Sequence, residues 1–403
     1  MPQKAIGVLA ALTLCGILIV GLWPFHSPKN QVQWLGNANG LRFDRYGTVL
    51  SSRQFELARS DGPSCSLEIW LKPARAWDKG TFLAFYNPLS RRQFLLQQDY
   101  IDLALQRDIG VDHQTTLYVP KVFHRKEALI TVTSDGQDTA AYIDGNLVAR
   151  SLRFGLSLTD LTGRLIVANS ALQSHSWSGQ LRGLAIYKSE LTAEQVAQHY
   201  QEWTQTGKPK VSENEHALAL YVFDEQTGRT IHNQVRSGVD LYIPDRYLVV
   251  HQALLEPPWK EFHRQGTHLN DILINIGGFV PLGFFLCAYF TSMRQVKHGV
   301  LATIAFGAIV SLTIEVLQAY LPTRYSGVTD VITNTFGTGV GVALYRAALA
   351  ARHSRHWASF HQDGQANRAS PAEKEGGTSR DQDACTAGPE CHVLKNRQPR
   401  RLP

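Results

Sequence analysis

At 403 residues the chain has room for two or three domains. Its net charge of +6 is modest, and the basic residues gather beside apolar segments and in the C-terminal tail. That pattern fits a membrane-orientation signal and excludes a nucleic-acid-binding face.

Ala5–Trp23 is apolar throughout, preceded by Lys4 and ended by Pro24. At roughly 19 residues it can cross a hydrocarbon core of about 30 Å. A cleaved signal peptide needs a shorter core and a small-x-small site. Trp23-Pro24-Phe25 is a poor site of that kind, so an uncleaved transmembrane helix is expected.

Residues 30–205 read as strands. In Cys65–Lys72 the apolar residues at 65, 67, 69 and 71 face one way, and Ser66, Glu68, Trp70 and Lys72 face the other. Ile101, Leu103 and Leu105 alternate similarly, as do Leu129, Thr131 and Thr133 against Ile130 and Val132. Asp144-Gly145, between Ala140–Ile143 and Leu147–Ala149, predicts a two-residue hairpin. Thr192, with Gln195 three residues later, predicts a helix start before Val196 and Tyr200. Many short strands separated by turns indicate an antiparallel sandwich.

Three phrases in this stretch resemble the laminin-G-like, concanavalin-A-like jelly-roll family. They are Ser66–Pro73, then Leu129–Ser134 with Ala141–Gly145, then Trp177–Leu181 through Ile186, Tyr187, Leu191 and Glu194. Tyr221–Glu225 and Gly228 resemble a phrase common beside such domains. The resemblance covers roughly residues 35–250, and implies a two-sheet fold over 30–250. The family includes sugar binders, protein binders and glycan hydrolases. The hydrolases' closely alternating acidic motif is absent, because Glu68 has no carboxylate two or four residues away. The acid/base pair that glycoside cleavage requires is therefore missing. Asp144 reads as a turn residue rather than a calcium ligand.

Residues 206–265 are mixed, with turn signals and the pair Pro257-Pro258. Residues 268–350 hold three apolar stretches, at 271–290, 299–320 and 328–349. Each carries its strongly polar residues at the same end: Asp271 and Asn275, then Glu315 and Gln318, then Asp330 and Asn334, just past Arg324. Alternating crossings bring these groups to one membrane face. A carboxylate or amide in hydrocarbon is costly unless partnered, so such a cluster is a candidate functional site.

Ser311, Glu315 and Gln318 share a helix face, as do Asp330, Asn334, Gly337 and Gly341. The two glycines read as a packing seam. Asn275 and Asn334 divide between bridging helices and touching a ligand, and Asp330 can serve as a helix cap. Glu315 lies within the span and needs a partner or a proton. Arg324 is the nearest candidate, through the short loop containing Pro322. From Ala351 to Pro403 the chain is polar and aperiodic, and a disordered cytoplasmic tail is expected.

The residues of the trio resemble the VanZ-like family, known from an accessory protein of glycopeptide-antibiotic resistance. The phrases are Asn275-Ile276 with Phe279–Gly283, Ser311–Gln318, Pro322–Arg324 and Asp330–Gly337. The resemblance implies a small multi-helix membrane domain, often bacterial. It makes Ala5–Trp23 the first of four spans, with the sandwich inserted after it.

Arg294 and Lys297 precede the stretch at 299–320, and Arg346, Arg352 and Arg355 follow the last. Both regions are then cytoplasmic, with both termini inside and the sandwich outside.

The expected architecture is an all-β jelly-roll sandwich plus a four-span α-helical bundle. The expected protein is a multi-pass bacterial envelope protein of the cytoplasmic membrane. Its sandwich would recognise a glycan or other cell-wall component. Asn275, Glu315, Gln318, Arg324, Asp330 and Asn334 would hold a lipid headgroup or lipid-linked saccharide.

One alternative is an enzyme or transporter acting on such a lipid, and another is a protein-interaction scaffold. No catalytic residue or cofactor is nominated. Neither is a metal site, for the five cysteines (15, 65, 287, 385 and 391) lack metal-ligand or redox spacing.

Overall fold

Alternation at period two, broken by turn residues, builds two antiparallel sheets. They are seen in a computed structural model that describes residues 2–58, 61–90, 92–108, 114–124, 127–171, 176–236, 238–261, 268–293 and 298–366. Its α-helices are α1 (Gln3–Leu22), α2 (Ala193–Thr206), α3 (Pro258–Glu261), α4 (His268–Ser292), α5 (Gly299–Gln318) and α6 (Val328–Ala366). The chain forms two units, Met1–Arg346 and Ala347–Pro403.

The first sheet runs, in spatial order, Val32–Trp34, Leu41–Phe43, Gly179–Tyr187, Cys65–Pro73, Ala128–Ser134, Thr139–Ile143 and Asn146–Ser151. Ala217–Tyr221 joins it on Gly179–Tyr187. The second sheet runs Thr230–Ile231, Leu241–Tyr242, Val49–Ser51, Arg164–Val167, Lys79–Asn87, Arg92–Asp99, Asp102–Asp108 and Gln114–Val119. Leu67, Ile69, Phe85, Leu96, Ile130 and Leu184 are among the side chains that fill the space between the sheets. The expected hairpin forms: Ile143 pairs with Asn146, and Asp144 and Gly145 have φ of 51° and 78°. Such a turn needs positive φ at both central positions. The Asp144 carboxylate accepts the Leu129 N–H, so Asp144 serves its turn.

The face of the first sheet that carries Ser66, Glu68 and Trp70 is covered by α2. The Thr192–Gln195 capping box closes its start, and Gly207 in the left-handed conformation ends it. Trp203 of α2 packs over Gly183, where a Cβ would lie 2.3 Å from the indole ring. Only glycine allows that approach. The outer face of the second sheet, which carries Tyr242, is covered in part by Leu248 and Val250 on the segment leaving the sandwich.

In the bundle, Phe279 and Leu282 of α4 and Ile314 of α5 pack with Leu14, Ile17, Leu18 and Leu22 of α1. Helix α1 therefore packs with helices that lie more than two hundred residues further along the chain, beyond the sandwich. The glycine seam forms as expected between α4 and α6. A Cβ at Gly337 would lie 2.3 Å from the Ile276 carbonyl oxygen, and one at Gly341 would lie 2.1 Å from that of Val280.

Two expectations are met in part. Among the described residues three helices, not four, are long and apolar enough to cross a membrane: Gln3–Leu22, Leu269–Ser292 and Gly299–Gln318. The stretch 328–349 is helical, but Thr329, Thr333, Asn334, Thr335, Thr338 and three glycines dilute its apolar character, and Asp330 and Arg346 lie within it near its two ends. The helix also runs past Leu349 to Ala366, through strong helix formers such as Ala347, Ala348, Leu349 and Ala350. The rest of the expected tail, 367–403, lies outside the described residues.

Candidate functional site

The polar residues singled out in the sequence meet where α5 ends and α6 begins, but they pair in an order the sequence did not reveal. Glu315 is 2% exposed, and its Oε2 accepts the Gly327 N–H at 2.9 Å. Gly327 lies in the loop that opens α6, so this carboxylate ties the end of one helix to the start of the next. One turn deeper, Asn334 Nδ2 donates to Ser311 Oγ at 2.9 Å, bridging α6 to α5. Asn275 Nδ2 donates to Asp330 Oδ1 at 2.7 Å, bridging α4 to the first turn of α6. A carboxylate there also suits the positive end of the helix dipole.

Gln318 and Arg324 turn the other way. Gln318 Nε2 donates to the Gly21 carbonyl at 2.8 Å. Arg324 Nε and Nη2 donate to the Trp23 carbonyl at 3.0 and 2.7 Å, and Nη2 also reaches the Val20 carbonyl at 3.2 Å. The last carbonyls of a helix have no partner within it. These two side chains therefore cap α1, and the expected pairing of Arg324 with Glu315 is replaced by a contact between helices. The planar guanidinium fork suits this double role.

The segment leaving the sandwich is stitched to the same loop. Gln252 Nε2 donates to the Leu321 carbonyl at 2.7 Å, and the Leu255 N–H donates to Ser326 Oγ at 3.1 Å. The Glu256 N–H donates to the Ser326 carbonyl, and the Val328 N–H to the Glu256 carbonyl, both at 2.9 Å. Three buried oxygens here, Asn334 Oδ1, Thr323 Oγ1 and Thr329 Oγ1, have no hydrogen-bond partner. Buried acceptors and hydroxyls are normally satisfied, so these three are the polar atoms of this region that the protein itself leaves unmatched.

A second polar constellation was hidden in the sequence. Glu68, fully buried, accepts from Tyr187 Oη and Trp203 Nε1, both at 2.9 Å on Oε2. Its Oε1 lies 3.0 Å from His199 Nδ1, and His199 Nε2 lies 3.4 Å from Glu215 Oε1. Burial alone would lower the His199 pKa. The hydrogen bond to Glu68 and the charges of Glu68, Glu215 and Glu202 outweigh it, and the imidazolium is favoured. Burial, then the charge of Glu68 and the hydrogen bond to it, push the Tyr187 phenol well above its usual range. Glu68 and His199 are closed off from solvent, so the network holds α2 on the sheet. The only sequence sign of it was an acid, with Ser66 and Trp70, on the strand face that α2 covers. Among the described residues no group of three or more His, Cys, Asp and Glu side chains could hold a metal ion.

A two-sheet sandwich tied to a bundle of apolar helices defines a membrane protein carrying a lectin-like domain. Residues 216–350 match the VanZ/LLP1 family model, and residues 44–197 match that of the concanavalin A-like lectin/glucanases superfamily. The chain thus carries a VanZ-like domain and a concanavalin A-like domain.

Protein VanZ from Enterococcus faecium is 33% identical over 78 residues, which is 19% of this chain and 45% of that protein. The chain thus spans less than half the length of the curated relative it matches.

Among solved structures, a SAP-like pentraxin from Limulus polyphemus has a TM-score of 0.30 and 14% identity, covering 50% of this chain and 96% of its own. The CBM40 of a Ruminococcus gnavus IT-sialidase, bound to α2,3-sialyllactose, has a TM-score of 0.31 and 12% identity, covering 40% and 95%.

Proposed function

We propose that this chain is a multi-pass protein of a bacterial cytoplasmic membrane. Its sandwich, residues 30–250 on the outer side, binds a glycan or another envelope component. Its VanZ-like bundle, residues 5–23 and 268–350, holds a lipid headgroup or lipid-linked saccharide beside it. The stretch 328–349 serves as a fourth span within the bundle, its polar residues turned toward α4 and α5. The cluster at Asn275, Glu315, Gln318, Arg324, Asp330 and Asn334 is the proposed docking end.

One observation carries this reading. Three buried oxygens have no hydrogen-bond partner: Thr323 Oγ1 in the loop that is stitched to the exit of the sandwich, and Thr329 Oγ1 and Asn334 Oδ1 in the first two turns of α6. A sugar hydroxyl docked there would donate to Asn334 Oδ1, and a phosphate oxygen would accept from the two threonine hydroxyls. The concanavalin A-like match of residues 44–197 and the VanZ-like match of 216–350 support an envelope setting.

The test is binding of the full chain, in detergent micelles, to an array of bacterial polysaccharides and immobilised glycolipids. Retention on a saccharide-bearing surface supports the reading, and loss of glycolipid retention in Asn334→Leu assigns the cluster to it. Absence of retention on every surface removes it.

A second reading, a scaffold without a ligand, is favoured by the intramolecular partners of Asn275, Asn334, Gln318 and Arg324. It requires that substitutions in the cluster change stability and leave retention on the array untouched.

A further inference from the structure

Three aromatic residues stand exposed at one end of the second sheet: Trp77 (72%), Tyr100 (48%) and Tyr118 (57%). Trp77 lies in the loop between Cys65–Pro73 and Lys79–Asn87. Tyr100 lies in the turn between Arg92–Asp99 and Asp102–Asp108. Tyr118, near the end of the edge strand Gln114–Val119, reaches the same end, because Leu103 pairs with Val119 and Asp99 with Asp102. The Trp77 and Tyr100 rings have centroids 6.4 Å apart, tilted by 53°. Lys79 Nζ sits 4.4 Å from the Tyr100 ring centroid and 2.7 Å from Asp99 Oδ1.

A buried amide holds this surface in place. Gln98 is 1% exposed. Its Nε2 donates to the carbonyls of Arg75, Ala76 and Tyr100 at 2.8, 3.2 and 3.1 Å. Its Oε1 accepts from the indole N–H of buried Trp177 at 2.8 Å. The Tyr100 N–H donates to the Asp78 carbonyl at 2.9 Å. Tyr100 itself has a φ of 56°, a left-handed conformation that a non-glycine residue adopts at a cost. Strain and a dedicated buried amide thus fix the backbone of two loops whose aromatic side chains do no packing in the core. Residues held in such conformations cluster at binding sites.

We infer that Trp77, Tyr100 and Tyr118, with Lys79 and Asp99, form a saccharide-binding platform of the sandwich. The inference rests on the glycan-binding reading above and names its surface. Rigid aromatic faces accept the apolar C–H face of a pyranose ring, while the Lys79–Asp99 pair offers a donor and an acceptor for its hydroxyls. A lipid surface is the other partner that exposed Trp and Tyr side chains suit. Local charge disfavours it: Asp78, Asp99 and Asp102 offset Arg75, Lys79 and Lys121, so anionic headgroups gain little here.

The experiment measures binding of the full chain in nanodiscs to the polysaccharide array, comparing wild type, Trp77→Ala, Trp77→Phe and Leu152→Ala. Leu152 is an exposed control on the first sheet's edge hairpin. Retention should fall at least tenfold in Trp77→Ala, partly recover in Trp77→Phe, and be unchanged in Leu152→Ala. All four proteins should share one melting temperature.

If wild type binds and Trp77→Ala binds equally, the platform is wrong while the glycan-binding reading stands. If wild type binds nothing, both fall. Brominated lipids in the nanodisc that quench wild type but spare Trp77→Phe by the same amount would assign Trp77 to the bilayer and overturn the platform.

Discussion

Glu315 and Arg324 share one end of the bundle and serve different partners: the Glu315 carboxylate accepts the Gly327 N–H at 2.9 Å, and the Arg324 guanidinium donates to the Trp23 carbonyl at 2.7 Å. Residues without a shared partner act additively. Glu315→Gln and Arg324→Ala should therefore each destabilise by about 1.5–3 kcal/mol, the scale of a hydrogen bond to a charged group. The double variant should equal their sum within about 0.5 kcal/mol. Thermal unfolding of the four proteins in one detergent measures this, and a strong coupling would restore the direct ion pair.

The seam between α4 and α6 depends on bare backbone at two positions. Gly337→Ala would push a methyl to 2.3 Å from the Ile276 carbonyl oxygen, and Gly341→Ala to 2.1 Å from that of Val280. Overpacking of this kind costs about 1–3 kcal/mol. Gly339, where a Cβ meets nothing within 4 Å, should tolerate alanine without loss. Melting temperatures in detergent decide it, and equal values for all three variants would mean that the helices do not approach there.

The buried His199 makes the sandwich sensitive to pH. Its pKa is raised in the folded state, burial being outweighed by Glu68, Glu215 and Glu202. The unfolded reference is about 6.5. A raised folded-state value stabilises fully below that reference, and the contribution is lost as pH rises through the folded value. Unfolding of the sandwich should therefore become easier from neutral to alkaline pH. His199→Gln should lower stability at acid pH and flatten the profile. An unchanged slope in that variant would show that another group titrates.

The distribution of Arg and Lys predicts topology. A reporter fused after Ala350 should read as cytoplasmic, and one inserted at the exposed turn around Leu89 should read as external. An external signal from the first fusion would leave three crossings, the number of helices that meet the length and composition for a span.

Local pattern made much of this protein legible in its sequence. Alternation placed Cys65, Leu67, Ile69 and Leu71 in the core, Asp144-Gly145 set a hairpin, and Thr192 with Gln195 opened α2. Apolar length marked α1, α4 and α5, and spacing marked the Gly337–Gly341 seam. Each of these signals acts within a few residues of chain, through backbone geometry or side-chain periodicity.

The partners of the polar residues were decided only by tertiary structure. Glu68 reads as the outward acid of a strand until α2, well over a hundred residues later, brings His199 and Trp203 over it. Arg324 sits close to Glu315 in the chain, yet its hydrogen bonds go to Val20 and Trp23, about three hundred residues away. The physical reason is common to both. A buried charge such as Glu68, like the helix-end carbonyls that Arg324 caps, takes whatever partner packing delivers to it, because leaving such groups unmatched is costly. Which group arrives is set by the crossing of helices and the layering of sheets, and short-range sequence carries no record of that.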